Sequence, residues 1–156
     1  YLTVSAAYFL FDTLTVIFIE FTWPFFMHGF FALVLYSIAA LTPFLQYYAL
    51  FFMLCEFSTI FLHLRWFALK IKATESFFFK FNQYAFIIFF FIGRIIIAYP
   101  MNWKMWQCSL SANDDIANII FRYIYVICPA CLCALNGYWL IKLIQTVTKK
   151  RDNKQN

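Results

Sequence analysis

A long apolar run at residues 43–69 constrains the fold of this chain more than any other segment. Glu56 and Arg65 are the only Asp, Glu, Lys or Arg residues in it. In a helix, about 27 residues extend for about 40 Å, which is enough to cross a bilayer with some tilt. Glu56 would lie near the middle of the membrane, where a carboxylate is costly unless it is paired, neutralised or in a wet cavity. The run therefore predicts a membrane-spanning helix with a functional site at Glu56.

The polar residues of this helix are spaced so that they share one face. Glu56, Thr59 and His63 stand at positions i, i+3 and i+7, which lie above one another on a helix. We expect this face to line a cavity, with Glu56 and Cys55 deep on its wall and His63 nearer the end of the helix.

The composition extends the membrane interpretation to the whole chain. The sequence is 65% hydrophobic and 24% aromatic, and only 12% of its residues are charged, against roughly 25% in a soluble domain. Too few charges remain to cover a water-facing surface. The predicted fold class is all-α, a polytopic transmembrane helix bundle with about five spans. These spans cover about residues 4–19, 25–41, 43–69, 81–99 and 116–147.

The connections carry the usual signals of helix ends. Thr42-Pro43 predicts a helix N-cap followed by proline in the first turn, and Asp114 and Asp115 favour the start of the last helix. Pro100 is expected to end the fourth span. Residues 69–80 then form a basic loop, residues 101–115 a polar loop, and residues 149–156 a basic tail after a transmembrane domain at residues 1–148.

The basic residues fall almost entirely on one side of this arrangement. Of the 12 Lys and Arg residues, all except Lys104, Arg94 and Arg122 lie around the 69–80 loop or the C-terminal tail. Cytosolic loops of membrane proteins carry such an excess, so the C-terminus is predicted to be cytosolic. The net charge of +5 thus reports topology, and we expect no nucleic-acid partner.

Three more ionisable residues, Asp12, His28 and Arg94, lie within the spans and are candidates for the site. Asp12 either pairs with a neighbouring helix or lines a cavity, and His28 is either an interfacial residue or part of a site. Arg94 is expected to pair with Asp12 or Glu56. Because the turn before residue 43 is short, His28 and His63 should lie at similar depth, with the two carboxylates deeper.

The cysteine pattern CPACLC at residues 128–133 superficially suggests a metal site. It lies in an apolar run with no nearby histidine, which favours buried thiols in a helix. We expect no metal, no cofactor and no disulfide.

Five segments, in order, resemble the TLC domain shared by ceramide synthases, translocation-associated membrane proteins and small TLC-domain-containing proteins. They are SAAYFLFD at residues 5–12, FFMHGFFALVLY at 25–36, CEFSTIFLHLRWF at 55–67, FFIGRIIIAYP at 90–100 and LNGYWLIKLIQ at 135–145. The third is similar to the Glu-x-Ser-Thr-Pro-Phe-x-x-x-Arg-Trp-Phe pattern of the small proteins. The chain begins at Tyr1 rather than Met, and we expect a piece of a bundle of six or more helices.

The resemblance implies a lipid-accessible cavity, with Asp12, His28, Cys55, Glu56, Thr59, His63 and Arg94 as its residues. Ceramide synthases transfer a fatty acyl group from acyl-CoA to a sphingoid base in the endoplasmic reticulum. Where the family has paired histidines, this chain has Met27 and His28, and the acidic pattern of the synthases is replaced around Cys55, Glu56 and His63. Catalytic residues are therefore unassigned, with His28, His63 and Glu56 as candidates.

The function expected from this resemblance is binding or sensing of lipid or acyl chains in membrane lipid homeostasis, in the endoplasmic reticulum or a connected membrane. An N-acyltransferase of the ceramide synthase type, using acyl-CoA and a sphingoid base, is the alternative. A structural subunit of a membrane complex is a third reading.

The charge asymmetry generates a topology prediction. A glycosylation acceptor inserted within residues 101–115 should be modified in the endoplasmic reticulum, whereas an acceptor appended after Asn156 should not. Gel-shift analysis with and without a glycosidase reads out both variants. The opposite pattern of modification would contradict the topology.

Overall fold

A computed structural model describes the backbone of residues 1–41, 46–111 and 116–152. It also describes the side chains of these residues, except those at positions 111, 116–118, 121 and 146–152. Helices are the only regular secondary structure in its described part. In chain order they are α1 (Leu2–Phe18), α2 (Trp23–Leu41), α3 (Gln46–Cys55), α4 (Phe57–Lys70), α5 (Phe77–Phe90), a π-helical segment (Phe91–Ile97), α6 (Ala98–Ser111) and α7 (Ile116–Asp152). The predicted all-α class is confirmed.

Four of the described stretches are long and apolar enough to cross a membrane. They are Trp23–Leu41, Gln46–Lys70, Phe77–Leu110 and Arg122–Gln145. The α1 helix is also apolar but has only 17 residues, or about 26 Å of length. It forms a hairpin with α2, so the bundle has the predicted order of helices.

The fourth helix does not end at Pro100, and the prediction of a polar loop from residue 101 is wrong for residues 101–111. α5, the π segment and α6 form one continuous helix. Proline removes a backbone donor and crowds the preceding turn, but the wider π turn lies directly before it, with Ala98 N–H donating to the Gly93 carbonyl. In hydrocarbon every backbone group must be satisfied internally, so continued helix is favoured over an open loop.

The basic loop is shorter than predicted, because helix extends into it from both sides. After α4, the Lys72 N–H donates to the Leu69 carbonyl and the Ala73 N–H to the Ala68 carbonyl. This is the Schellman pattern, and it requires the left-handed φ of 57° found at Lys72. Before α5, the Ser76 hydroxyl accepts from the Phe79 N–H at 3.1 Å.

The span predicted as one helix at residues 43–69 is interrupted at Glu56, which lies in a turn between α3 and α4. There the Glu56 N–H donates to Met53 and the Thr59 N–H donates to Glu56, at 3.1 and 2.9 Å. Both bonds span three residues, so the helix tightens locally. The start expected at Thr42-Pro43 lies outside the described residues, as do Asp114, Asp115 and residues 153–156.

Small residues let the helices approach closely. A Cβ on Gly29 of α2 would come within 2.6 Å of the Thr13 hydroxyl of α1, which itself donates to the Phe9 carbonyl at 2.7 Å. On the same two helices the rings of Phe9 and Tyr36 stack, with 5.2 Å between their centroids. Small residues at such positions are typical of helix packing in membranes. α2 in turn packs against α7, and α4 against α5.

Candidate functional site

Arg94, in the π segment, is the centre of a buried polar cluster. Its Nη2 donates to Glu56 Oε2 and to the Thr59 hydroxyl, each at 2.9 Å. Its Nε donates to the Ser58 hydroxyl at 3.0 Å, and its Nη1 to Asn136 Oδ1 at 3.1 Å. The predicted partner of Arg94 among the two carboxylates is therefore Glu56 and not Asp12.

The surroundings of the guanidinium are aromatic as well as polar. Its carbon lies 5.8 Å from the Phe90 ring centre and 5.7 Å from that of Trp139. Both rings offer their faces to a cation. Since only 7% of the Arg94 side chain is exposed, these rings and the hydrogen-bond acceptors replace its hydration shell.

His28 lies between the two members of the ion pair. Its Nε2 is 3.3 Å from Arg94 Nη1 and 3.5 Å from Glu56 Oε1. Arginine carries only donors, so the first contact is a hydrogen bond when Nε2 is unprotonated. The ring also packs against Trp139, at 5.4 Å between centroids. His28 is thus buried in the cluster, and it is not an interfacial residue.

Two helix irregularities place the ion pair. The α3–α4 turn carries Glu56, the π segment carries Arg94, and the two meet at Gly93. A Cβ on Gly93 would be 3.3 Å from the Leu54 carbonyl oxygen, and the Cys55 thiol donates to the Gly93 carbonyl at 3.3 Å. Glycine allows this close approach of two backbones, and π segments often mark functional sites.

A cavity of about 410 Å³ lies against this cluster. Aromatic and aliphatic side chains form most of its wall, among them Phe9, Phe25, Leu62, Phe86, Ile87 and Leu143. Its inner end is polar, because Arg94, Glu56 and His28 meet there. The cavity therefore has the apolar body and few convergent polar groups of a ligand site.

One end of the cavity carries the exposed side chains of His63 and Lys142, lies on the side of the basic loop and is called the mouth. His63 and Arg65 lie toward the end of the span Gln46–Lys70, Gln83 in the first part of the span Phe77–Leu110, and Lys142 in the last part of α7, and all four line the cavity. In an antiparallel bundle these helix ends share one side. That side carries Lys70, Lys72 and Lys80, and it is the side predicted to be cytosolic.

Most of the predicted cavity residues meet here. Asp12, His28, Glu56, Thr59, His63 and Arg94 all line the cavity. Cys55 does not line the part of the cavity that the structure describes, because its thiol turns toward the Gly93 carbonyl. In a regular helix Cys55 would lie beside Glu56, but at the α3–α4 turn its thiol is directed toward the π segment.

The depths of the two histidines differ from the prediction of a matched pair. His28 contacts Glu56 and so lies at its level, five residues into α2. His63 is seven residues beyond Glu56, about 10 Å along α4, and is exposed at the mouth. The reason is that α4 continues toward the basic loop well beyond the level at which α2 begins.

Four contributors to the site were missed in the sequence. The guanidinium contacts Ser58, Asn136, Phe90 and Trp139. The sequence contained a weak indication of the two polar residues, since Asn136 is the one amide within residues 122–144 and Ser58 is next to Thr59. Nothing in the pattern distinguishes Trp139 from other membrane-embedded aromatics.

The three cysteines at residues 128–133 take no part in the polar cluster around Arg94. Cys128 and Cys133 are buried and Cys131 is partly buried, all as free thiols. Among the described residues no group of three or more His, Cys, Asp or Glu side chains is arranged to hold a metal ion.

The buried pair generates a stability prediction. Arg94→Leu should lower the free energy of unfolding by about 3–5 kcal/mol, because it leaves the Glu56 carboxylate without a cation among apolar groups. The double variant Arg94→Leu with Glu56→Gln should recover part of the loss. Thermal unfolding in detergent measures both.

Lys104→Leu is the matched control, since it removes an exposed cation from the same long helix. It should change the unfolding temperature little. An Arg94→Leu protein as stable as the parent would contradict the structural role of the cluster.

Comparison with known proteins agrees with the membrane fold. The TLC domain family matches residues 1–145. An uncharacterized TLC domain-containing protein of Saccharomyces cerevisiae is 27% identical over 133 residues, covering 82% of this chain and 42% of that protein. The chain thus spans less than half the length of this relative. No solved structure matches it. With the family match covering nearly all of the helical bundle, the chain belongs to the TLC domain family.

Proposed function

We propose that this TLC-domain membrane protein binds a lipid acyl chain in its cavity and acts in membrane lipid homeostasis. The observation that carries the proposal is the cavity of about 410 Å³, whose wall is mostly apolar and whose inner end is polar. This volume is within the range of about 300–1,000 Å³ typical of ligand sites. An amphiphile has the same division into apolar chain and polar group.

The position of the mouth supports access from one leaflet. The residues at the mouth lie on the side with the basic loop, where positive charge favours the cytosolic, anionic face of a membrane. We place the protein in the endoplasmic reticulum or a connected membrane, with the C-terminus in the cytosol.

The polar cluster supports a pre-organised site. Arg94, Glu56 and His28 come from three different helical segments, and their contacts fix the inner end of the cavity. A polar end that is already ordered loses little conformational entropy when a ligand binds.

Blocking the cavity tests the proposal. Ile87→Trp should fill the cavity, because Ile87 lines it, and should lower the lipid that co-purifies with the protein. Ile88→Trp is the matched control, since the neighbouring side chain is 54% exposed on the outside of the bundle. Native mass spectrometry of both proteins measures bound lipid.

The expected result is loss of bound lipid from the Ile87 variant alone, with both variants retaining the parent's unfolding temperature. Cells expressing the Ile87 variant should also lose any change in lipid profile that the parent produces. Equal lipid occupancy in the two variants would contradict the proposal.

A second candidate function is acyl transfer from acyl-CoA to a long-chain amine. The observation in its favour is that His28, Glu56 and His63, all able to exchange protons, line one cavity. Purified protein would then form an amide from octadecanoyl-CoA and a sphingoid base, and His28→Ala would abolish the product. No amide in the parent reaction, by mass spectrometry, rules this candidate out.

A further inference from the structure

Two permanent cations, Arg65 and Lys142, line the mouth of the cavity although both lie within membrane-spanning stretches. Arg65 is five residues before the end of the span Gln46–Lys70, and Lys142 is three residues before the end of the span Arg122–Gln145. They come from two different helices, α4 and α7, and His63 of α4 lines the same end. The mouth therefore differs from the basic loop, whose lysines lie outside the cavity.

The two cations lie at one level of the bundle. Arg65 follows Ser58 by seven residues on α4, and Lys142 follows Asn136 by six residues on α7. Ser58 and Asn136 both accept hydrogen bonds from Arg94, so they mark one depth. At 1.5 Å per residue, each cation is about 10 Å from that depth on the side of the basic loop. Two helices thus bring a positive charge to the same level of the mouth.

The surroundings of the two cations hold them at the mouth. The Lys142 ammonium lies 5.6 Å from the ring centre of Tyr138, one turn earlier on α7, and the face of an aromatic ring attracts a cation. Arg65 is partly buried. Both ion pairs found within the described ranges involve Glu56, so none of the described carboxylates neutralises Arg65.

The inner end of the cavity has the opposite property. Its cation, Arg94, is paired with Glu56 at 2.9 Å and donates further hydrogen bonds to three other side chains. Asp12 adds another carboxylate to the wall. Since like charges repel and opposite charges attract, an anionic group is more stable at the mouth than at the inner end.

From this distribution of charge we infer that the mouth binds the phosphate group of a single-chain lipid phosphate monoester, while the lipid chain lies along the apolar wall. The inference rests on the proposed lipid-binding function and adds the headgroup. A phosphate monoester carries a charge of about −1.5 to −2 near neutral pH, which matches two permanent cations better than a carboxylate does. Arginine binds phosphate oxygens through two parallel N–H groups, and lysine acts as a point charge. His63 supplies a further N–H donor in either protonation state.

Four probes separate the headgroup from the chain. Octadecanoyl lysophosphatidate has both parts, monooctadecanoylglycerol has the same chain without phosphate, and glycerol 3-phosphate is the headgroup alone. Octadecanoyl-CoA carries its phosphates on the acyl donor of the second candidate function. Native mass spectrometry of the purified protein in one detergent measures the bound fraction of each probe. The parent should bind lysophosphatidate about tenfold more tightly than monooctadecanoylglycerol, because charge-assisted hydrogen bonds are the stronger ones. Glycerol 3-phosphate should bind more weakly than lysophosphatidate, because it has no chain to bury.

Neutral variants of the two cations test their role. Arg65→Gln and Lys142→Gln should each lower the preference for lysophosphatidate over monooctadecanoylglycerol about threefold, and the double variant should abolish it. Arg65→Lys keeps the charge and should retain more of the preference than Arg65→Gln. Lys80→Gln is the matched control, because it removes an exposed cation from the same side, outside the lining of the described cavity. It should leave the preference unchanged. Unfolding temperatures of all variants establish that folded proteins are compared.

The possible failures are distinguishable. If neither lysophosphatidate nor monooctadecanoylglycerol binds the parent, the proposed function is wrong and this inference falls with it. If both bind equally, or if Lys80→Gln lowers the preference as much as Arg65→Gln, lipid binding stands and the phosphate site is wrong. Glycerol 3-phosphate bound as tightly as lysophosphatidate would overturn the choice of a lipid. Octadecanoyl-CoA bound more tightly than lysophosphatidate would overturn the inference in favour of the acyl-transfer candidate.

Discussion

The structure depends on one buried cation. Arg94 lies in the middle of a long apolar helix, and a charge there requires acceptors from its neighbours. These acceptors come from α2, the α3–α4 turn, α4 and α7, as His28, Glu56, the pair Ser58 and Thr59, and Asn136. The guanidinium thereby connects these four elements to the π segment.

The backbone is irregular where this cation is bound. A π segment and a tightened turn each depart from the α-helix, and they contact each other through Gly93. Non-helical backbone at membrane depth is tolerated where protein covers it. Here each irregularity turns one member of the ion pair toward the other, so the two departures from regular structure have one common effect.

The distribution of polar and apolar groups in the cavity follows from this arrangement. Its inner end is polar because the cluster forms it, and its walls are apolar because α4, α5 and α7 present aromatic and aliphatic side chains there. Asp12, on the hairpin of α1 and α2, adds a carboxylate to the cavity wall, whereas the N–H groups of Arg94 point to acceptors within the protein.

The sequence by itself determined the helical class, the apolar spans, the basic side and six of the residues that line the cavity, Asp12, His28, Glu56 and Arg94 among them. These follow from local properties, since hydropathy, Lys and Arg counts and isolated charges are read within one segment. The tertiary structure decided that Arg94 pairs with Glu56, that Cys55 turns away, that His28 is deeper than His63, and that helix continues through Pro100. Each depends on where a π segment or a turn rotates a side chain relative to another helix, and no local pattern contains that rotation.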